Sequence, residues 1–346
     1  MGLEYYYEKN REMLINLRQD VAATIGTQSA SVNRGEMDNW GWELSLTWRD
    51  KIGKDFKYKV GINTGYSDNK VKVMDFETDP KNIYHSIQPG GRTDIGLWGM
   101  QCIGMFRSFQ DIEEYFEKYN ITSYMGMTKD KVRPGMLIYK DVRGAYDQAT
   151  GTYAGPDGVV DRENDLVQLG DRGNIYGFTM NLGADWKGLS LTAQFGATWG
   201  GYTTIPSQAL SVPSTSNIEF YNFPSFWNPD NVYVYQDITD GSGNVVMAQN
   251  REAYYPSLAY SINSIASSFW RVSNARVALN RLTLAYALPK QWFKSIGIKS
   301  ARINVTGQNL INFYNPYPDS FTNPMAGGYG SYPNLRKWTV GVNLSF

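Results

Sequence analysis

Four aspartates crowd one stretch of the chain, and their spacing invites a test for a cation. The stretch reads Lys140-Asp141-Val142-Arg143-Gly144, then Asp157-Gly158-Val159-Val160-Asp161, with Asp165 beyond. Calcium takes several oxygens from closely spaced residues, with a glycine at the sharp turn. Here a long insert separates Asp141 from Asp157, which favours a solvated acidic loop. If the stretch holds a structural calcium, Asp157, Asp161 and Asp165 are the ligands expected. Catalytic chemistry has little to work with. There is one histidine, His85, and one cysteine, Cys102, so no intrachain disulfide, Cys/His zinc site or Ser-His-Asp triad is expected. Both are read as structural or incidental. Glu113 and Glu114 fall on a solvated helix face and do not read as a glycosidase pair. Phosphate-binding loops and nucleophile elbows are missing from the sequence, and the chain reads as a non-enzyme without a cofactor.

A second group of residues suits binding. Tyr221, Phe223, Phe226, Trp227, Phe313, Tyr314, Tyr317, Phe321, Tyr329 and Tyr332 lie in two stretches rich in Pro, Asn, Ser and Gly. Their rings could stack on a sugar or a peptide, pack on one another, or meet a partner. Phe226, Trp227, Tyr314, Tyr317 and Tyr329 are the strongest candidates for a substrate or partner surface.

The elements that must carry these residues alternate with period two. Trp40, Trp42, Leu44, Leu46 and Trp48 alternate with polar residues, as do Phe56, Tyr58, Val60 and Ile62. The pattern returns over 176–186, 189–199, 282–288, 303–308 and 338–346. Such strands are longer than the ~5–6 residues usual in soluble sheets, and match the ~9–11 that a tilted strand needs to cross a bilayer. Aromatics at the ends of the apolar face, such as Tyr176, Trp186 and Trp199, fit interfacial girdles. Gly, Ser, Thr, Asn and Gln fill the opposite face, as a wet lumen requires. Lys187-Gly188 makes a tight hairpin, and Asp50 to Asp55 is another short link, whereas 201–267 and 311–335 are long connections. About ten strands are expected, counting weak ones near 2–9, 95–107 and 134–141. One helix is expected over 108–118, with Ser108 as its cap and an apolar stripe at 109, 112, 115 and 116. No apolar run reaches the ~18 residues of a membrane-crossing helix. The 33 basic and 33 acidic residues cancel, so no nucleic-acid partner is expected.

These residues carry a resemblance. Tyr5-Tyr6-Tyr7-Glu8-Lys9, Asn39-Trp40-Gly41-Trp42-Glu43-Leu44-Ser45-Leu46 and Pro134-Gly135-Met136-Leu137-Ile138-Tyr139-Lys140-Asp141 resemble segments of SusC/RagA-type TonB-linked outer-membrane proteins of Bacteroidota. So do Leu182-Gly183-Ala184-Asp185-Trp186-Lys187-Gly188, Thr306-Gly307-Gln308-Asn309-Leu310 and the ending Arg336 to Phe346, all in family order. The resemblance implies the C-terminal part of a transmembrane β-barrel over 1–346, with the plug, TonB box and N-terminal strands absent. It implies nutrient import of a glycan or peptide with a SusD-like lipoprotein, driven by TonB-ExbB-ExbD through the missing part. A fragment of this kind is not expected to transport alone. In such proteins the acidic loop often reads Asp-x-Asn-Gly-Asp-Gly, and here Arg143 stands where Asn would donate an oxygen. Trp338, Val340, Val342, Leu344 and Phe346 resemble the terminal signal read by the barrel-assembly machinery. The expected location is the outer membrane. Two alternatives stand beside this reading: a free-standing small porin or adhesin barrel, sealed by 2–9 against 336–346, and a secreted β-sandwich that buries Trp42, Leu44 and Leu46.

Overall fold

The computed structural model describes residues 1–16, 31–75, 86–147, 149–210, 224–228, 230–293, 297–323 and 331–346. Its framework is one antiparallel sheet of eight strands, each paired with its neighbours in chain order. They are β1 (Gly2–Asn16), β2 (Ser31–Ile52), β3 (Phe56–Val73), β4 (Tyr176–Trp186), β5 (Leu189–Trp199), β6 (Arg276–Ala287), β7 (Ser300–Tyr314) and β8 (Lys337–Ser345). This is the all-β, outer-membrane type of architecture that the alternation predicts. In the described residues β1 pairs only with β2 and β8 only with β7, so the sheet is open. The seam that a free-standing small barrel needs is therefore not formed.

Across the middle of the sheet, the register places the large apolar residues of neighbouring strands on one face. Leu44 faces Leu3 and Thr64, Ile62 faces Met180, Met180 faces Phe195, Leu191 faces Leu284, and Val305 faces Val340. Because side chains alternate, a one-residue slip anywhere would move a whole strand's apolar set to the other side. The joining geometry is equally specific. Lys187 and Gly188 take φ of 47° and 87°, the left-handed pair that a two-residue hairpin requires.

Two of the ten expected strands are not in the sheet. Residues 95–107 form two short strands, Leu97–Met100 and Cys102–Met105. The first pairs with Leu166–Gly170 and the second with Leu137–Tyr139, which comes from the expected strand at 134–141. These are short runs that are apolar on both sides. Periodicity cannot tell such runs from membrane strands, which explains the difference.

They belong to a folded unit at one end of the sheet, made by the described residues of the connections 74–175, 200–275 and 315–336. Among the described residues, the opposite end carries the short links 53–55 and 187–188 and parts of the connection 288–299. The unit contains α1 (Phe109–Lys118), which starts as predicted. The Ser108 side chain accepts from the Asp111 backbone N–H, and the Asp111 carboxylate accepts from the Ser108 N–H. Ile112, Tyr115 and Phe116 are buried, while Phe109 remains half exposed.

The root of the long 74–175 connection is pinned to the sheet. The Arg92 guanidinium joins Asp68 at 2.7 Å and Asp171 at 3.2 Å. Asp94 accepts from the backbone N–H groups of Gly96, Arg172 and Gly173 at 2.8–3.0 Å. Burial pushes its carboxyl up, but the three donors outweigh burial and hold it below the usual carboxylate value of 3.8. A depressed carboxylate stabilises the fold above its unfolded pKa and loses that contribution as pH falls through the lower folded value. Backbone amide exchange at Gly96, Arg172 and Gly173 should therefore accelerate as pH drops below 3.8, after correction for intrinsic rates. In Asp94→Ala it should be fast at every pH. Equal protection in the variant and the parent would refute this role for Asp94.

Candidate functional site

The sheet has two chemically different faces. The outer face carries an apolar belt whose members are unusually exposed for their type, among them Trp42, Leu46, Leu191, Leu284 and Val340. A soluble sandwich would bury them; Trp42 and Leu46 are each 38% exposed. Rings mark the edges of the belt. Toward the long connections, Tyr7 stacks on Trp40 at 6.4 Å, Tyr66 on Tyr176 at 6.0 Å, and Tyr176 on Trp199 at 6.2 Å. Toward the short links stand Trp48, Phe56, Trp186 and Tyr286. Between Tyr176 and Trp186, about ten steps of ~3.3 Å along a strand tilted by ~40° span roughly 25 Å. That is the height of the apolar band on an outer-membrane barrel.

Beyond the upper ring row, the outer face turns polar. Asp38 takes hydrogen bonds from the Tyr7 hydroxyl at 2.7 Å and the Arg11 guanidinium at 2.8 Å, with Lys72 at 3.5 Å. Strands β2 and β3, at 22 and 18 residues, extend well past the belt and carry these charges with them.

The inner face is mostly polar. Ser45 donates to Asn63 at 2.8 Å, Gln194 to Asn181 at 3.3 Å, and the Thr283 and Thr306 hydroxyls are hydrogen-bonded to each other at 3.0 Å. Bulges break the ladder at Asn280, where Gln194 pairs with Arg281 and Phe195 with Leu279. Asn309, on the neighbouring strand, adopts φ of 53°. Asparagine tolerates that conformation better than most residues. The irregularity opens a cavity of about 450 Å³ between β6, β7 and the last connection, lined by Asn280, Asn309, Asn312, Asn315, Phe321 and Arg336.

The folded unit at the end of the sheet has an aromatic core. Trp270 is 1% exposed, lies parallel to Tyr255 at 6.0 Å, and meets Phe269 and Trp227 edge-on at 4.6 and 5.8 Å. Asn263 joins two connections. Its carbonyl side-chain oxygen accepts from the Leu137 N–H at 2.8 Å, and its amide donates to the Gly135 and Ser257 carbonyls at 2.8 Å. The backbone carbonyl of the same residue accepts the Trp270 indole N–H at 2.6 Å. Gly135 has φ of 92°, and a Cβ there would lie 2.6 Å from the Tyr233 ring. The sequence drew attention to Pro134-Gly135 but not to Asn263; a lone Asn in a polar connection carries no signal of its own.

The aromatic candidates separate accordingly. Phe226 and Trp227 are 0% and 7% exposed, and Phe226 packs against Tyr255 and Phe321 at 4.9 and 5.2 Å. Tyr317 joins the same cluster through Phe321 at 5.3 Å. In this conformation Phe226 and Trp227 present no ring to a ligand; they bind the connections to one another. Tyr314, at the end of β7, is exposed. Tyr329, Tyr221, Phe223 and His85 lie outside the described residues. Trp338, Val340, Val342, Leu344 and Phe346 are all exposed, on or just past the outermost strand.

The acidic stretch is solvated only in part: Asp157 is exposed and Asp161 half-buried, whereas Asp141 and Asp165 are buried. Asp165 is fully buried and accepts from the Val142, Arg143 and Asp161 N–H groups at 2.6, 3.1 and 2.8 Å. Asp161 accepts from Glu163 and Asn164, and Asp157 from Val159. Asp141 accepts from Gly158 at 2.7 Å. Burial pushes the Asp141 and Asp165 carboxyls up. Among the described residues, no three His, Cys, Asp or Glu side chains converge on one point. In place of Asn, Arg143 donates to the Leu166 carbonyl and lies 5.2 Å from the Tyr153 ring.

No family model matches the chain. It is similar over its whole length to TonB-dependent receptor P3 of Formosa agariphila, at 23% identity, covering 32% of that protein. TonB-dependent receptor P26 of the same organism is 25% identical over 99% of the chain, and again 32% of its own length is covered. The chain thus spans about a third of the curated relatives it matches. Among solved structures, the RagAB peptide importer in its closed-closed state superposes with a TM-score of 0.66 over 99% of this chain and 33% of that one, at 19% identity. The structure titled RagAB peptide transporter gives 0.63 at 18% identity. The names are those of receptors and transporters, and the fold is that of the RagA-type barrel.

Proposed function

We propose that this chain, SusC/RagA-like in sequence and fold, forms the C-terminal wall of a TonB-dependent outer-membrane importer for oligosaccharides or peptides. The observation that carries the reading is the two-faced sheet: an apolar belt of bilayer height outside, and a mostly polar wall inside. In this reading the long connections face the exterior and the short links face the periplasm. The amide-lined cavity at Asn280, Asn309 and Asn312 offers neutral donors and acceptors to cargo. A SusD-like surface lipoprotein would close over the connections, and TonB-ExbB-ExbD would act on parts of the assembly outside this chain. An open sheet edge leaves backbone N–H and C=O groups unpaired toward lipid, a cost that pairing with further strands removes. The free edges of β1 and β8 therefore call for further strands, and transport by this chain alone is not expected. The exposed apolar row from Trp338 to Phe346 suits recognition by the barrel-assembly machinery.

Cell fractionation tests the proposal. The chain is expected in the outer-membrane fraction and should resist extraction by alkaline carbonate. Recovery of natively folded chain from the soluble fraction would refute it.

A further inference from the structure

The inner wall carries its charges in an arrangement that transport of neutral cargo does not explain. At the short-link end of the sheet, Arg49 stands directly opposite Lys59, and Lys51 directly opposite Lys57. All four side chains are exposed and, among the described residues, none forms an ion pair. Successive residues on one face stand about 6.6 Å apart along a strand, and adjacent strands about 4.8 Å apart. The four cations therefore share one small patch. Like charges directly opposite one another destabilise a sheet, so the sequence tolerates a cost here twice. Asp50 lies between Arg49 and Lys51 in the chain but on the opposite face, opposite Tyr58; on the inner face the nearest acid in the ladder is Asp185, opposite Lys57, and it also accepts a hydrogen bond from Ser190. One carboxylate leaves most of the positive charge unbalanced. The alternation explains the face: Trp48, Tyr58 and Val60, the neighbours of these residues, belong to the lipid-facing belt.

We propose that Arg49, Lys51, Lys57 and Lys59 form a binding patch for an oligoanion, a cargo bearing several carboxylate or sulfate groups, on the inner wall near the short-link end. The proposal rests on the importer reading above and narrows its cargo. Guanidinium and ammonium groups at this spacing can each meet a separate anionic group, and two adjacent pairs match a repeating anion better than a single charge. The patch is exposed to solvent, so its attraction is screened by salt and its release is easy. Both properties suit a passing ligand. A permanently seated acidic protein segment is the competing occupant, and the experiment separates the two.

The full chain in detergent micelles is titrated with fluorescent hexaglutamate and with a sulfated hexasaccharide, against hexaalanine and maltohexaose as neutral controls. At least one oligoanion is expected to bind. Its affinity should fall about tenfold or more when salt rises from roughly 50 to 300 mM. A similar fall is expected in the Lys57→Gln/Lys59→Gln variant, with Lys118→Gln on α1 unchanged. Preference for the peptide or for the saccharide tells which backbone carries the anions. Circular dichroism confirms that the variants fold. Equal binding by parent and double variant would overturn the inference, as would binding of the neutral probes alone or of no probe. So would an acidic protein that copurifies with the parent and is lost from the double variant. Fractionation is read independently: a variant-insensitive chain still in the outer membrane overturns the patch and leaves the importer reading standing.

Discussion

Leu182→Arg is expected to prevent stable insertion of the chain into detergent or lipid, while Asn181→Arg, one residue earlier, is tolerated. Both positions lie near mid-height on β4. Leu182 faces Val60 and Ala193 within the apolar belt, and Asn181 faces Gly61 and Gln194 on the inner wall. An arginine on the lipid face at the bilayer midplane costs about 2–4 kcal/mol in a transmembrane barrel. On a wet wall the same side chain keeps its hydration, and the cost should stay within about 0.5 kcal/mol. The midpoint of urea unfolding in micelles measures the difference. Equal destabilisation by the two variants would contradict the assignment of faces.

The second large effect belongs to the folded unit at the end of the sheet. Trp270→Ala removes a side chain that is 1% exposed and touches Tyr255, Phe269 and Trp227. It also removes the indole donor to the Asn263 carbonyl. Truncating a buried tryptophan costs about 3–5 kcal/mol. The unit gathers its core from several connections, so the loss should spread through all of them and stop at the sheet. Hydrogen exchange is expected to show lost protection at Leu137 and Tyr139, with β4 and β5 unchanged. Trp270→Phe should recover most of the packing but not the hydrogen bond. Loss of protection confined to residues beside Trp270 would show that the connections do not fold cooperatively.

Much of the sheet was legible because a membrane strand writes its two environments into alternate residues. Seven strands follow from that alternation, and the pairing of β8 with β7, over Ser300 to Gln308, follows from chain order. The helix was legible because Ser108 and Asp111 announce its start. The folded unit was not legible. Its strands at 97–100, 102–105 and 137–139 are apolar on both sides, and their partners are distant in sequence. The candidate residues were ambiguous for related reasons. An aromatic in a connection reads equally as a ligand contact or as core, and only the packing placed Phe226 and Trp227 inside. An aspartate near others reads as a solvated or cation-binding group, yet Asp165 spends both oxygens on backbone N–H groups. The cationic patch needed the register, since Arg49 and Lys59 become neighbours only once β2 and β3 pair.

The two-faced sheet can be measured residue by residue. Nitroxide labels placed in turn from Phe178 to Gly183 on β4 report contact with oxygen, which concentrates in lipid, and with a water-soluble nickel chelate. In lipid vesicles, positions 178, 180 and 182 should favour oxygen, and positions 179, 181 and 183 the chelate, alternating without a break. Uniform access along the strand, or an alternation of the opposite phase, would contradict the account.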